Sequence, residues 1–320
     1  MSTMMLDPQI AAMYRAMAEN LQSLGDFSPP ARGDVHALRA MIDGAMPACP
    51  APPSTGVSVR QHVVASSQQG RFELRWYEPE TSQDDELRPA VVYLHGGGMV
   101  AGKAEYYDGL VRYYVEQTRV PFASVDYRLA PENPGTGMAT DAVDAIAWLI
   151  EHADEFGIDP QRIAVMGDSG GGGVAAGAAI LARDRGIALA RQLLIYPMLD
   201  DRTTVPDPNI APYAAWDWDS NWTCWSAVLG AGIGGDSVSP IAAPARLTEF
   251  GGLPPAYIEV GDLDIFRDES ISYAQRLHAA GISCELHVLP GVTHGHDRVS
   301  VEIDVSRRTL AARCRVLAAL

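Results

Sequence analysis

The pentapeptide GDSGG at residues 167–171 is the strongest candidate for a reactive centre. It follows an apolar run at residues 162–166 (RIAVM) and precedes a helical pattern over residues 170–183. A glycine two positions before and after a serine permits the sharp strand-to-helix turn that presents a hydroxyl group at the edge of a sheet. The pattern predicts Ser169 as a nucleophile, with the Gly170 amide and the helix N-terminus facing the same site.

A second glycine-rich segment, HGGG at residues 95–98, directly follows the apolar run AVVYL. Consecutive glycines let the backbone turn its N–H groups toward a ligand. We therefore predict an oxyanion hole in which Gly97 and Gly98 join Gly170. His95 is predicted to shape this loop by hydrogen bonding rather than to react.

A serine nucleophile needs a base, and the base needs a carboxylate that orients it. The segment GDLD at residues 261–264 supplies two acids, of which Asp264 is preferred and Asp262 is the alternative. The segment GVTHGH at residues 291–296 supplies His294 and His296, which spacing alone does not separate. Both segments follow predicted strands, at the sheet edge where open α/β sheets bind ligands.

Two other patterns point to cofactors and are set aside. Residues 230–235 (GAGIGG) match a dinucleotide-binding glycine pattern but do not follow a strand, as that motif requires. Residues 294–297 (HGHD) suggest a metal site, but no further acidic or histidine cluster completes a coordination shell. No metal and no cofactor are predicted.

Strand and helix patterns alternate from residue 57 onward. The predicted strands cover residues 59–65, 72–77, 90–94, 122–127, 163–166, 193–196, 256–260 and 285–289. The predicted helices cover residues 106–117, 138–152, 170–183, 267–280 and 301–317. This alternation predicts an α/β fold with a mostly parallel central sheet flanked by helices, and with the first two strands as an antiparallel edge.

Two segments fall outside the alternation. Residues 8–24 are predicted to form a helix with Asp7 as N-cap and with an apolar stripe of Ile10, Met13, Met17 and Leu21. Residues 35–46 are predicted to form a second helix before a proline-rich linker. This N-terminal segment is either a lid or simple packing on the main body. Residues 199–240 carry four of the six tryptophans and are predicted to form a second cap element. These tryptophans serve as its packing core, or one or two of them border the pocket.

Length and composition limit the number of domains and the classes of partner that fit this sequence. The chain has 320 residues, 47% of them hydrophobic, which suits one large α/β domain with an appendage. A net charge of −16 disfavours nucleic acid and anionic partners, so neutral or weakly polar small molecules are the expected substrates. The four cysteines form no CxxC pair and are expected to be reduced thiols. Without a signal sequence or a long apolar run, a soluble, cytoplasmic protein that binds no membrane is expected.

Taken together, these motifs resemble the hormone-sensitive-lipase-like carboxylesterases, the bacterial type IV esterases of the α/β-hydrolase superfamily. The matching segments, in family order, are HGGG (95–98), DYRLAPE (126–132), GDSGG (167–171), LPP (253–255), GDLD (261–264), RDE (267–269) and HG (294–295).

The resemblance selects Asp264 over Asp262 and His294 over His296. It implies a helical cap made of residues 1–53 and an insert at about residues 200–235, on a catalytic domain of residues 54–320. A homodimer is the association that it implies. The implied catalytic residues are Ser169, Asp264 and His294, and the implied oxyanion donors are Gly97, Gly98 and Gly170.

The sequence departs from the family at three positions. Gly170 stands where the family usually has alanine, His296 where phenylalanine is common, and Met99 where a bulky aromatic residue is frequent. Met99 and Trp218 are predicted to contact the substrate.

The predicted activity is that of a serine carboxylesterase acting on small, apolar, short-to-medium acyl esters through an acyl-enzyme. An amidase, lactonase or deacetylase using the same triad is the alternative, and a non-catalytic small-molecule receptor is the rival from another class.

Overall fold

A computed structural model describes residues 4–24, 29–81 and 86–320. The strands are β1 (Val57–Ala65), β2 (Arg71–Pro79), β3 (Arg88–Leu94), β4 (Phe122–Asp126), β5 (Ile158–Asp168), β6 (Arg191–Ile195), β7 (Ala256–Gly261) and β8 (Cys284–Leu289). The helices are α1 (Pro8–Leu24), α2 (Val35–Ala45), α3 (Asp108–Thr118), α4 (Gly137–Glu151), α5 (Ala153–Phe156), α6 (Gly170–Asp184), α7 (Trp218–Leu229), α8 (Arg267–Ala279), α9 (His296–Val299) and α10 (Asp304–Leu317).

The eight strands form one sheet in the order β1-β2-β4-β3-β5-β6-β7-β8. β1 pairs antiparallel with β2, and β2 pairs antiparallel with β4. All remaining pairs are parallel. Helices flank the sheet, with α4 packed on α6 and α3 on α10. The predicted α/β class, the mostly parallel sheet and its antiparallel edge are confirmed.

The glycines of α6 are explained by how closely this helix approaches its neighbours. A Cβ atom added to Gly171 would overlap the carbonyl oxygen of Leu94 in β3. A Cβ atom at Gly173 would overlap the carbonyl oxygen of Met198. Each glycine costs a helix roughly 1 kcal/mol relative to alanine. Without side chains at these two positions, α6 can lie directly against the backbone of Leu94 and Met198.

The N-terminal segment packs directly on the main body. Asp7 caps α1 by accepting a hydrogen bond from the Gln9 amide at 2.8 Å. Ile10 is fully buried against Val292 and Val305, near the other end of the chain. Met17, predicted to lie on the same apolar stripe, is 42% exposed, so only the first turns of α1 face the core. The side chain of Leu21, the last residue of that stripe, lies outside the described part.

A buried ion network joins α10 to strand β7 of the sheet. Arg313 of α10 is fully buried and donates to Glu259 of β7 at 2.5 Å. It also donates to Asp297 of α9 at 2.6 Å and to the Tyr114 hydroxyl of α3 at 2.9 Å. The Tyr196 hydroxyl donates to the second oxygen of Asp297 at 2.9 Å. The carboxylates of Glu259 and Asp297 thus share one guanidinium, which links β7, α9 and α3 to α10.

Among the described residues, no helix combines the length and apolar character needed to cross a bilayer. All four cysteines are free thiols, and Cys224 is the most buried of them.

Candidate active site

Ser169 lies in the tight turn between β5 and α6. Its backbone has φ 55° and ψ −119°, a conformation that a residue with a side chain rarely adopts. Such backbone strain costs on the order of 1–3 kcal/mol and is typical of functional sites. The Ser169 amide donates to the Ile195 carbonyl of β6 at 2.9 Å, and its carbonyl accepts from the Met198 amide at 3.0 Å. Both backbone bonds hold the turn so that the hydroxyl projects from the sheet edge.

His294 and Asp264 meet Ser169 from two other loops. The His294 Nε2 atom lies 2.9 Å from the Ser169 hydroxyl, and the His294 Nδ1 atom lies 2.7 Å from an Asp264 oxygen. An ionised carboxylate only accepts hydrogen bonds, so the Nδ1 atom carries the proton and Nε2 is free to accept from the hydroxyl. The structure therefore brings the three predicted side chains into one hydrogen-bonded row.

The loops that carry the acid and the base are braced by their neighbours. The second oxygen of Asp264 accepts from the Phe266 amide at 3.0 Å. Asp262, the alternative acid, instead accepts from the Gly291 amide at 2.7 Å, at the start of the histidine loop. The Thr293 hydroxyl, next to His294, bonds to the Tyr14 hydroxyl of α1 at 2.6 Å.

His296, the alternative base, lies away from the serine. Its ring is buried, and its Nε2 atom is 3.3 Å from the Thr309 hydroxyl of α10. Burial lowers the pKa of His296. The spacing of HGH could not separate the two histidines, because only the turn at Gly295, which has φ 64°, decides which ring faces Ser169.

The HGGG loop lies against the serine turn. The N–H groups of Gly97, Gly98 and Gly170 donate to no acceptor within the described ranges. A Cβ atom on Gly170 would lie 2.6 Å from the Met99 nitrogen and 2.9 Å from the Gly98 nitrogen. This close approach shows why glycine suits position 170 here, and it puts three free amides near one hydroxyl.

Aromatic side chains support the loop from behind. The Gly96 amide donates to the Tyr107 hydroxyl at 3.1 Å. His95 is fully buried and stacks on Tyr127, with 4.4 Å between the ring centroids. The Tyr127 hydroxyl donates to the His95 carbonyl at 2.7 Å. These contacts fix the loop before any ligand enters.

A cavity of about 160 Å³ opens over Ser169 and His294. Trp216 and Tyr196 contribute aromatic walls, and the N-terminal segment contributes Ile42, Met46 and Cys49. Sequence reasoning left open that one or two of the tryptophans border the pocket, without singling out Trp216, and it missed the other four residues. No motif marks a side chain whose role depends only on where its segment packs.

The two predicted substrate contacts do not line this cavity. Met99 is 1% exposed, and its side chain packs toward Gly173 of α6. Trp218 is the first residue of α7 and is 7% exposed. Trp216, two positions earlier and outside the helix, takes the place predicted for Trp218. A wider groove of about 700 Å³ beside α7 has no ionisable residue among its lining side chains.

Asp168, next to the serine, is fully buried. Loss of solvent raises its pKa to about 7; Arg313 opposes this rise and Asp297 adds to it. Burial therefore favours the protonated, neutral form of Asp168, the residue directly before the nucleophile.

Residues 230–235 follow α7 rather than a strand, as a short 3-10 turn and loop. Across residues 4–24, 29–81 and 86–320, no group of three or more histidine, cysteine, aspartate or glutamate side chains is arranged to hold a metal ion.

The chain is similar to known proteins over most of its length. Residues 91–297 match a family described as an alpha/beta hydrolase fold. Esterase LipI of Mycobacterium tuberculosis is 37% identical over 71% of each chain, and ethyl acetate hydrolase of Pseudomonas putida is 34% identical over 72% of this chain and 73% of the relative. The solved structure of a bacterial heroin esterase superposes with a TM-score of 0.85 and 34% identity, covering 98% of this chain and 97% of the other.

Proposed function

The chain belongs to the α/β-hydrolase family, among its hormone-sensitive-lipase-like carboxylesterases, and on this premise we propose that it cleaves esters through an acyl-enzyme formed on Ser169. It is a carboxylic ester hydrolase. The observation that carries the proposal is the row of hydrogen bonds from Ser169 through His294 to Asp264, at 2.9 and 2.7 Å, beside three amides without acceptors.

In the first half of the reaction, Ser169 attacks the ester carbonyl while His294 Nε2 accepts the hydroxyl proton. Asp264 holds the imidazole in the required tautomer and stabilises its protonated form. His294 then gives that proton to the departing alcohol, which leaves the acyl group bonded to Ser169.

In the second half, water takes the place of the alcohol. His294 accepts a proton from the water as it attacks the acyl carbonyl, and returns the proton to the Ser169 oxygen when the acid leaves. Both halves pass through a tetrahedral oxyanion. The free N–H groups of Gly97, Gly98 and Gly170 are proposed to receive it, each contributing about 3 kcal/mol to the transition state.

The cavity supports small esters with short-to-medium acyl groups. Its volume of about 160 Å³ lies well below the several hundred Å³ of pockets that enclose drug-sized ligands. Much of its wall is apolar, with Ile42, Met46 and Trp216 as examples. The relative named ethyl acetate hydrolase supports the same size range.

Substitution of Ser169 by alanine tests the proposal. We expect Ser169→Ala to abolish hydrolysis of 4-nitrophenyl butyrate and covalent labelling by a fluorophosphonate probe, because both need the same oxygen. Mass spectrometry of the labelled wild type should place the probe on the peptide that contains Ser169.

Ser237→Ala is the matched control, because Ser237 is an exposed serine that lines the wider groove beside α7. Its turnover and labelling should equal those of the wild type. Turnover that persists in the Ser169 variant and disappears in the Ser237 variant would refute the assignment.

A further inference from the structure

Arg298 places a positive charge in the wall of the active-site cavity. It lines the same cavity as Ser169 and His294, whose other walls are neutral or apolar. No aspartate or glutamate lines this cavity. The cavity therefore contains a guanidinium but no acidic side chain.

The hydrogen bonds of Arg298 leave its charge unmatched. Its Nη2 atom donates to the Tyr106 carbonyl at 3.0 Å, and the guanidinium lies 4.2 Å from the centre of the Tyr107 ring. Its Nε atom is buried without an acceptor. Within the described ranges, no carboxylate approaches its nitrogens within ion-pair distance. Arg313, by contrast, is matched by both Glu259 and Asp297.

Arg298 is half-buried, and removing a cation from water without an anion in contact carries a desolvation penalty. The charges of Asp297 and Asp168 offset part of that penalty from beyond ion-pair distance. Arginine cannot lose its proton to escape that penalty, and its planar fork fits a carboxylate with two parallel hydrogen bonds. An anionic group on the bound substrate would supply the acceptor that the protein does not.

We propose that Arg298 receives a carboxylate of the substrate, so that the preferred esters carry a free carboxylate on either the acyl or the alcohol side. This inference rests on the proposed function and names its substrate class. It also changes the expectation drawn from net charge, since an acidic surface does not prevent one local cation from selecting an anion.

A structural role is the rival explanation. Arg298 contacts Tyr106 and Tyr107, and the Tyr107 hydroxyl accepts from the Gly96 amide beside the oxyanion loop. If Arg298 only braced that loop, its loss would slow the hydrolysis of all esters by the same factor. If Arg298 instead binds the carboxylate of the substrate, its loss would lower kcat/KM for the charged ester relative to the neutral one.

Two pairs of substrates separate these roles at pH 7.5 and 150 mM salt. The first pair, 4-acetoxybenzoate and 4-acetoxybenzamide, places the carboxylate on the alcohol side. The second pair, monoethyl glutarate and ethyl pentanoate, places it on the acyl side. In at least one pair, the wild type should favour the carboxylate member at least tenfold in kcat/KM.

In Arg298→Met, we expect that preference to fall by about 10- to 100-fold, which corresponds to about 1.4 to 2.8 kcal/mol at 1.4 kcal/mol per tenfold. The neutral members report any general loss of activity, so the ratio alone tests the specificity role. Arg298→Lys keeps the charge without the fork and should retain part of the preference. Arg71→Met removes an exposed arginine of β2 and should leave both ratios unchanged.

Ratios that stay the same in Arg298→Met, with or without a general loss of activity, would overturn the inference. If the variant does not fold, the wild-type ratios decide, and a preference below twofold in both pairs overturns it. The proposed function stays separate throughout, because it depends on the loss of neutral-ester turnover in Ser169→Ala.

Discussion

At the scale of single residues, Asp168 is an acid held where its charge is unfavourable. Loss of solvent raises the pKa of Asp168 to about 7; the charge of Arg313 opposes this rise and the charge of Asp297 adds to it. In the unfolded chain, Asp168 ionises near its ordinary pKa of about 4. The folded state therefore keeps a proton that the unfolded state has lost between these two pH values. The resulting stabilisation is complete below pH 4 and is lost as the pH rises through about 7.

Asp168→Asn should isolate this effect, because asparagine has the same shape and does not titrate. We expect the free energy of unfolding of the wild type, relative to the variant, to fall by about 1.4 kcal/mol per pH unit between pH 5 and 6.5. The difference should level off above pH 8. Urea unfolding at several pH values measures it, and a difference that does not change with pH would contradict the burial of Asp168.

At the scale of elements, the Arg313 network joins α10 to α3, α9 and β7. Arg313→Met removes the cation and leaves Glu259 and Asp297 buried without it. Breaking a buried ion pair in this way costs about 3–5 kcal/mol. We expect that loss in urea unfolding, together with weaker esterase activity, because α9 follows directly after the His294 loop.

Arg315→Met is the matched control on the same helix. Arg315 pairs with Glu285 at the surface, and exposed pairs contribute at most about 1 kcal/mol. Equal losses of stability in the two variants would contradict the importance of the buried network.

Strong patterns in the sequence were enough to predict the main elements. Each predicted strand overlaps an observed strand, with those at 122–127 and 193–196 running one residue too far, and the predicted helix at residues 8–24 has the observed bounds of α1. The short helices α5 and α9 were missed, because four residues carry too little periodicity to stand out. The partial exposure of α1 was also missed, since a helical stripe shows an apolar face but not how much of it another element covers.

In the active site, too, residues within strong motifs were predicted and residues outside them were not. Ser169, His294 and Asp264 are marked by local motifs, and the structure brings these three side chains together. Arg298 and Trp216 carry no such mark. Their roles depend on their surroundings in the folded chain. In the described part of the chain, Arg298 has no carboxylate in contact with it, and Trp216 lines the active-site cavity.

At the scale of the whole molecule, the net charge of −16 acts on any charged substrate before it reaches the cavity. Like charges slow diffusional encounter, and salt screens this repulsion. The screening length shortens from about 30 Å at 0.01 M salt to about 8 Å at 0.15 M. We expect kcat/KM for 4-acetoxybenzoate to rise severalfold over this range, while that for 4-acetoxybenzamide stays constant. A fall with added salt for the anionic ester would show that local attraction exceeds the overall repulsion.

The attachment of α1 to the histidine loop has a consequence for when the enzyme becomes active during its synthesis. The Asp7 amide donates to the Gly291 carbonyl at 2.9 Å, and Ile10 packs on Val292 and Val305. Translation delivers Asp7 some three hundred codons before Val305. A growing chain on the ribosome therefore carries α1 without the histidine loop, and ester cleavage begins only after that loop has emerged and α1 has docked on it.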